Sequence, residues 1–356
     1  MGNWCSRSLV PAIIDKNLTL GGTFTNTPPA DTITTEMGSA DEIAIQAAKF
    51  KDRRLTDYVY ELLPEANPDV EIIFFHGLQM EGSPPEYSHW RTWKMRKSED
   101  CWPETLLPQM LSWRDERDGR HFEIKARVLS VSYEARPDPG KYGHGTGSSD
   151  DYRISECLVD NIIFDHEVHL GQRDRVPVFL VGHDLGGILI KRLVMMLEVE
   201  GATNPDQKKR IKILKFLGNL KCVFFFATPH CGSEAIETMA SKINKHDANQ
   251  MLRFMKVLNE LTSRTNQEFQ KFRHRTDKKS GFTSHAVHAT HETNEGGFHN
   301  VLVVPEGSAR YDVDSLYSAS ANHFSVCQPK DESSSSIQHL CNQIKEEVRK
   351  AKGGMV

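Results

Sequence analysis

The hexapeptide Gly182-His183-Asp184-Leu185-Gly186-Gly187 places a carboxylate in a turn between an apolar run and a helical one. The preceding Val176-Pro177-Val178-Phe179-Leu180-Val181 is mostly β-branched or aromatic, as a central strand requires. Ile188 to Glu198 then carries a helical run of Ile, Leu, Lys, Arg and Met. Glycines on both sides of Asp184 leave room for a strained turn and for close packing of helix on strand. The pattern is that of a nucleophile elbow, G-x-S-x-G, with Asp184 where the serine belongs. A serine in that position attacks once a histidine has taken its proton. An aspartate at neutral pH has no proton to give, because its ordinary pKa is about 4. Three readings follow. Asp184 attacks as a carboxylate and forms an ester that activated water then opens. Alternatively, hydrolysis is lost and the carboxylate fills the space where a tetrahedral oxyanion would form; the sequence favours this reading. In the third, Cys231 or Ser233, after Thr228-Pro229-His230, supplies the nucleophile.

Such a residue needs a sheet to hold it. Strands are expected at Tyr58 to Leu63, Ile72 to Phe75, Ala126 to Tyr133, Cys222 to Ala227, His285 to His291 and Asn300 to Val304, besides the elbow strand. Helices are expected over Ile154 to Leu170, after the elbow, over much of Glu234 to His274, and from Ser333–Ser336 to about Lys350. The last shows Ile337, Leu340, Ile344 and Val348 on one face. Strands alternating with helices predict an α/β fold with a mostly parallel sheet covered on both sides. Trp102-Pro103-Glu104-Thr105-Leu106-Leu107-Pro108 reads as a helix entry near a surface, Pro137 to Asp151 as a long loop, and Gln207 to Lys215 as an exposed basic turn. The histidines at 285, 288, 291 and 299 read as a solvated strand edge rather than a metal site, since no Cys or Asp stands at ligand spacing.

A chain of 356 residues can bury a large core, and its 38% hydrophobic and 26% charged residues are those of a soluble globular protein. A net charge of −4 gives no bulk attraction to nucleic acid. The seven cysteines are scattered without C-x-x-C, which argues for a reducing compartment and against disulfides or zinc. No cofactor is expected, and no apolar run is long enough to span a bilayer. The start Met1-Gly2-Asn3-Trp4-Cys5-Ser6 fits M-G-x-x-x-[ST], so Gly2 is a candidate for myristoylation and Cys5 for palmitoylation. Two acyl chains would anchor the chain to the cytoplasmic face of a membrane, with the plasma membrane expected; without them it would be cytoplasmic. Residues 1–45 are then a flexible acylated arm, 46–330 the folded domain, and 331–356 a C-terminal amphipathic helix and tail.

Phe74-Phe75-His76-Gly77-Leu78, Arg127-Val128-Leu129-Ser130, Gly182-His183-x-Leu185-Gly186-Gly187, Phe225-x-x-Thr228-Pro229-His230-x-Gly232-Ser233, Val303-Val304-Pro305-x-x-Ser308-Ala309 and x-His323 occur in order. This series resembles the serine-active-site-containing lipase-like α/β-hydrolases. It also resembles the hydrolase-like domains that precede NB-ARC segments in some plant and fungal immune-receptor-type proteins. The resemblance runs from about Tyr58 to about Gln328. It implies the α/β-hydrolase fold, Asp184 at the nucleophile position, Glu292 at the acid position and His323 at the base position. Asp312 and Asp314 compete for the acid role, and Asn322 stands where the family usually has Asp. The oxyanion hole falls on the N–H groups of Leu78 or Gln79 and of Leu185. His76 is expected to be a buried loop-stabilising histidine. Epoxide hydrolases and haloalkane dehalogenases also carry an elbow Asp. Residues 234–285 hold no tyrosine to act as an epoxide-opening acid, however, and Leu185 stands where the dehalogenases have Trp. The implied role is a signalling or immune-receptor N-terminal module that binds an acyl or lipid ligand, self-associates or works beside an NB-ARC segment. The competing role is an active hydrolase of lipid or acyl esters.

Overall fold

Runs of β-branched and aromatic residues that are buried on both sides form the centre of the sheet. The structure, a computed structural model, describes residues 40–79, 87–114, 119–137, 151–243, 250–257, 259–274 and 281–353. Helix α1 (Ala40–Lys51) leads into β1 (Val59–Leu63) and β2 (Val70–Phe75). Short helices α2 (Ser88–Arg91), α3 (Trp102–Thr105) and α4 (Leu107–Met110) follow, then a ribbon of β3 (Ser112–Arg114) and β4 (His121–Glu123), then β5 (Ala126–Val131). Helix α5 (Asp151–Val159) continues into a π-helical turn, Asp160–Phe164, before β6 (Val178–His183) and α6 (Leu185–Thr203). Next come α7 (Gln207–Asn219), β7 (Leu220–Phe226), α8 (Glu234–Ser241), α9 (Glu260–Arg273) and β8 (Thr283–Ala289). The chain closes with α10 (Glu306–Ala309), β9 (Ser315–Ala319) and α11 (Ser335–Ala351).

The main sheet has the order β1-β5-β2-β6-β7-β8-β9. Only β1 is antiparallel to its neighbour. Every residue of β2, β5 and β6 is buried, which is why their sequences are dominated by apolar residues, with Glu71 and Arg127 as exceptions that face each other. Alternate residues feed two cores. Val178 and Leu180 pack with Leu189, Leu193, Phe216 and Phe269 on the face covered by α5, α6, α7 and α9. Phe179 and Val181 pack with Trp90, Trp93, Trp102 and the α11 stripe on the other. This is an α/β-hydrolase fold. β5 and β6 flank β2 on opposite sides, so the winding reverses there, and the loops after β2 and β6 meet at a topological switch point.

Several expectations are revised. Asn300 to Val304 is not a strand; it makes a single bridge, Thr293 to Val301, and Val303 and Val304 are buried by packing instead. The last strand is β9, whose Ser-Leu-Tyr-Ser-Ala sequence is too polar and short to stand out. Trp102 is fully buried rather than near a surface, and its indole N–H donates to the Cys327 carbonyl at 2.9 Å. The basic segment Gln207 to Lys215 is helix, not turn, with Asp206 capping the N–H groups of Lys208 and Lys209. His285 and His288 are buried in β8, which lies between β7 and β9, so they form no solvated edge; His291 and His299 are exposed. Most of the loop expected at 137–151 and all of residues 1–39, with Gly2 and Cys5, lie outside the described residues.

Candidate active site

The site begins with the register of β2 and β6. Phe75 pairs with Gly182, so the chain leaving β2 at His76 runs beside the chain leaving β6 at His183. The turn between β6 and α6 forces Asp184 to φ 51 and ψ −119, a strained conformation worth about 1–3 kcal/mol. Two glycines make the approach possible. A Cβ on Gly186 would lie 2.2 Å from the Phe75 carbonyl oxygen, and one on Gly77 would lie 2.6 Å from the Asp184 Cβ. The Asp184 N–H donates to the Phe226 carbonyl at 3.0 Å, which ties the elbow to β7.

The carboxylate of Asp184 is buried, with 1% of the residue exposed. Its Oδ2 accepts the Leu78 N–H at 3.0 Å. Its Oδ1 stands 3.4 Å from His323 Nε2 without hydrogen-bond alignment, a contact that is ionic only when the imidazole carries a proton on both nitrogens. Burial pushes the Asp184 carboxyl upward, but the His323 imidazole, His183 and the Leu78 N–H together hold it below the usual carboxylate range. The carboxylate therefore spans the gap between a donor of the expected oxyanion hole and the base position.

His323 arrives from the loop after β9. Its N–H donates to Thr293 Oγ1 at 3.2 Å, and its carbonyl accepts from His183 Nε2 at 2.9 Å. Asn322 fixes the loop. Its Oδ1 accepts the N–H groups of Phe324 (3.1 Å) and Ser325 (2.8 Å), and its Nδ2 donates to Glu295 at 2.8 Å. An Asn serves this turn-forming role as well as an Asp would. Arg96 adds a bond from its guanidinium to the Ser325 carbonyl at 3.2 Å.

Asp184, His323 and Leu78 therefore converge. Gln79 directs its N–H away, to the Ala135 carbonyl at 3.0 Å. Leu185 is buried and opens α6. Glu292 is exposed, and His323 Nδ1 is buried with no hydrogen-bond partner among the described residues. Both competing carboxylates face Arg273, Asp312 at 3.0 Å and Asp314 at 2.6 Å. Ser233 caps α8 through its hydroxyl, which also donates to the Val303 carbonyl, while Cys231 is exposed.

Two neutral histidines brace the site. His76 Nδ1 donates to the Gly77 carbonyl at 2.9 Å, its Nε2 accepts the Tyr133 N–H at 3.3 Å, and its ring stacks on Tyr133 at 4.1 Å. Burial lowers its pKa to about 4. Burial, with His323 nearby, lowers that of His183 to about 4 as well. His183 and Thr293 are the supports that motif reading passed over. His183 was visible only as a neighbour of Asp184, and nothing in the local sequence marks Thr293. Among the described residues, no cluster of His, Cys, Asp and Glu could hold a metal ion.

No family model matches the chain. It is 22% identical over 311 residues to "Protein SERAC1" of Danio rerio, an alignment covering 78% of this chain and 40% of that protein. The chain thus spans about 40% of the length of this curated relative. Similar solved structures include a lipase-esterase related protein from Clostridium acetobutylicum ATCC 824, at 10% identity and TM-score 0.40 over 81% of this chain and 98% of that one. The mature lipase BlEst2 of Bacillus licheniformis is similar at 16% identity and TM-score 0.38, over 76% and 93%. The type II thioesterase BorB from the borrelidin biosynthetic cluster is similar at 15% identity and TM-score 0.38, over 83% and 98%.

Proposed function

We propose that this chain is a membrane-tethered, hydrolase-like module in which Asp184 has silenced serine-type hydrolysis and left a binding or signalling domain. The observation that carries the reading is the bridging carboxylate. Asp184 Oδ2 occupies the Leu78 N–H that would stabilise a substrate oxyanion, and Oδ1 faces the imidazole that would activate a nucleophile. The Leu78 donor is taken before any ester enters. The unpartnered His323 Nδ1 supports the same reading, since a working base needs a group there to fix its tautomer. Tethering rests on Gly2 and Cys5, and a place beside an NB-ARC segment in an immune receptor rests on the resemblance alone. The parent transcript either encodes such a segment beyond Val356 or removes that idea.

One observation favours a second reading. Attack by the Asp184 carboxylate on the alkyl carbon of a substrate ester would form an alkyl ester on Asp184 and release the substrate's acid as a carboxylate. The new ester's carbonyl oxygen would lie where Oδ2 now accepts from Leu78, so water deprotonated by His323 could add to that carbonyl and expel the alcohol with the hole in place. Lipid or acyl esters would be its substrates, and Glu292, the acid of that reading, would have to turn in from solvent to reach His323 Nδ1.

The deciding experiment is ester and thioester turnover by the wild type, by Asp184→Ser, and by Asp184→Ala as the blank. We expect the wild type to match the blank and Asp184→Ser to gain activity on the order of a hundredfold or more, the scale of a restored nucleophile with an oxyanion hole. Turnover by the wild type that Asp184→Ala abolishes would make Asp184 catalytic and overturn the leading reading.

A further inference from the structure

We infer that the outer face of α7 is a docking surface for an anionic phospholipid bilayer. This deepens the membrane part of the proposed function but does not depend on acylation. The thirteen residues Gln207–Asn219 include five basic side chains, Lys208, Lys209, Arg210, Lys212 and Lys215, and no acidic one. The helix turns Ile213 and Phe216 into the core, which fixes its orientation. On its outer side, Ile211 and Leu214 are 57% and 53% exposed, one turn apart. Lys208, Lys209 and Arg210 are exposed beside them.

A solvated surface helix would set polar residues outward. Here two branched aliphatic side chains stand in water inside a ring of cations. The few counter-charges lie to the side and are themselves exposed: Asp160 is 3.9 Å from Lys209, and Asp174 is 2.6 Å from Lys215. Such a face suits the boundary of an anionic leaflet, where aliphatic side chains enter the acyl region and cations remain among the headgroups. A second protein fits less well. A stable interface buries at least about 1,000 Å², more than two side chains supply, whereas a bilayer gains from each inserted side chain singly. α7 leads into β7 at Leu220, and Phe226 at the other end of that strand pairs with His183, so α7 sits roughly 20 Å of strand from the elbow. Changes on its outer face therefore leave the Asp184 site intact.

The test uses the full chain carrying Gly2→Ala, which removes acylation and so separates failure of this inference from failure of the acyl anchor. Sedimentation is measured with phosphatidylcholine vesicles with and without phosphatidylserine. We expect binding only with phosphatidylserine. Ile211→Ser with Leu214→Ser should weaken it roughly tenfold or more. Lys208→Ala with Arg210→Ala should weaken it by about fivefold per charge, and raised salt should do the same. Ile45→Ser, at an exposed aliphatic residue on α1, should leave it unchanged. Circular dichroism checks that each variant stays folded. Three results would overturn the inference: no sedimentation with anionic vesicles, sedimentation indifferent to Ile211 and Leu214, or a concentration-dependent dimer lost in the Ile211→Ser variant.

Discussion

Two buried carboxylates stand on neighbouring central strands, one at each end of the sheet. Glu71, near the start of β2, accepts the Gly171 N–H at 2.8 Å, pairs with the Arg173 guanidinium and lies 3.7 Å from Arg127. Arg127 in turn bonds Glu61 at 2.8 Å and the carbonyls of Glu167 and Val168. Even so, burial holds the Glu71 carboxyl above its ordinary range, with Gly171 and the arginines offsetting only part of the effect. Asp184, beyond the end of β6, has one aligned hydrogen bond and one loose charge contact, yet it is held below its ordinary range. Glu71 is enclosed by a network whose members satisfy one another, which is the mark of a structural charge. Asp184 leaves Oδ1 without a hydrogen bond, and so does Nδ1 on the far side of the His323 ring, as a polar site does when it is built to meet something else.

Acid should separate the two ends most sharply. His76 and His183 both belong to the Asp184 end, and both fall from an ordinary 6.5 to about 4 on folding. A histidine with a lowered folded pKa favours folding fully above its unfolded value. That contribution is lost as pH falls from about 6.5 to about 4, because the unfolded chain takes up the proton first. Each should cost on the order of 3 kcal/mol across that window. Urea unfolding at stepped pH should show the loss, and His183→Gln should flatten the curve by about half. An unchanged slope would mean that His183 is not held neutral.

The next effect belongs to the other end. Arg127→Met should cost about 3–5 kcal/mol, since it leaves Glu71 buried with one cation fewer and strands two carbonyls. Denaturant unfolding measures it. The same variant should not alter the ester turnover of an Asp184→Ser background, because the network lies at the opposite end of β2. A matching loss of activity would mean that the two ends are coupled through the strand.

Much of this was legible in the residues. Runs dominated by apolar residues marked β2, β5, β6 and β7 despite Glu71, Arg127 and Lys221, and G-x-D-x-G-G marked the elbow, because each signal is local. β9 and the buried β8 histidines were not legible, because their environment comes from pairing and from helices distant in sequence. In the site, Asp184, His323 and Leu78 follow from motifs at strand ends. The bridging geometry does not, since it depends on the register of β2 against β6 and on a loop held by Thr293 and Asn322. Glu292 shows the limit of order along the chain: it stands in the right sequence slot, and its side chain is in solvent.

The smallest predicted effect bears most directly on what Asp184 is for. Asp184→Asn keeps the size, the strained backbone and an oxygen for the Leu78 N–H, and removes only the charge. Because the folded protein favours the ionised form, the charge stabilises above the ordinary carboxyl pKa of 3.8, and that stability is lost as pH falls through the lower folded value. At pH 7 the variant should therefore lose about 1 kcal/mol, the scale of one charge contact made without hydrogen-bond alignment. The difference from wild type should vanish in acid, below the folded pKa of Asp184. Unfolding free energies of the two proteins at pH 7 and at low pH would measure it. A gain at pH 7 would show that the carboxylate is a burden to the fold. It would then have to be kept for a reaction or a ligand, and the second reading of the site would gain by the same amount.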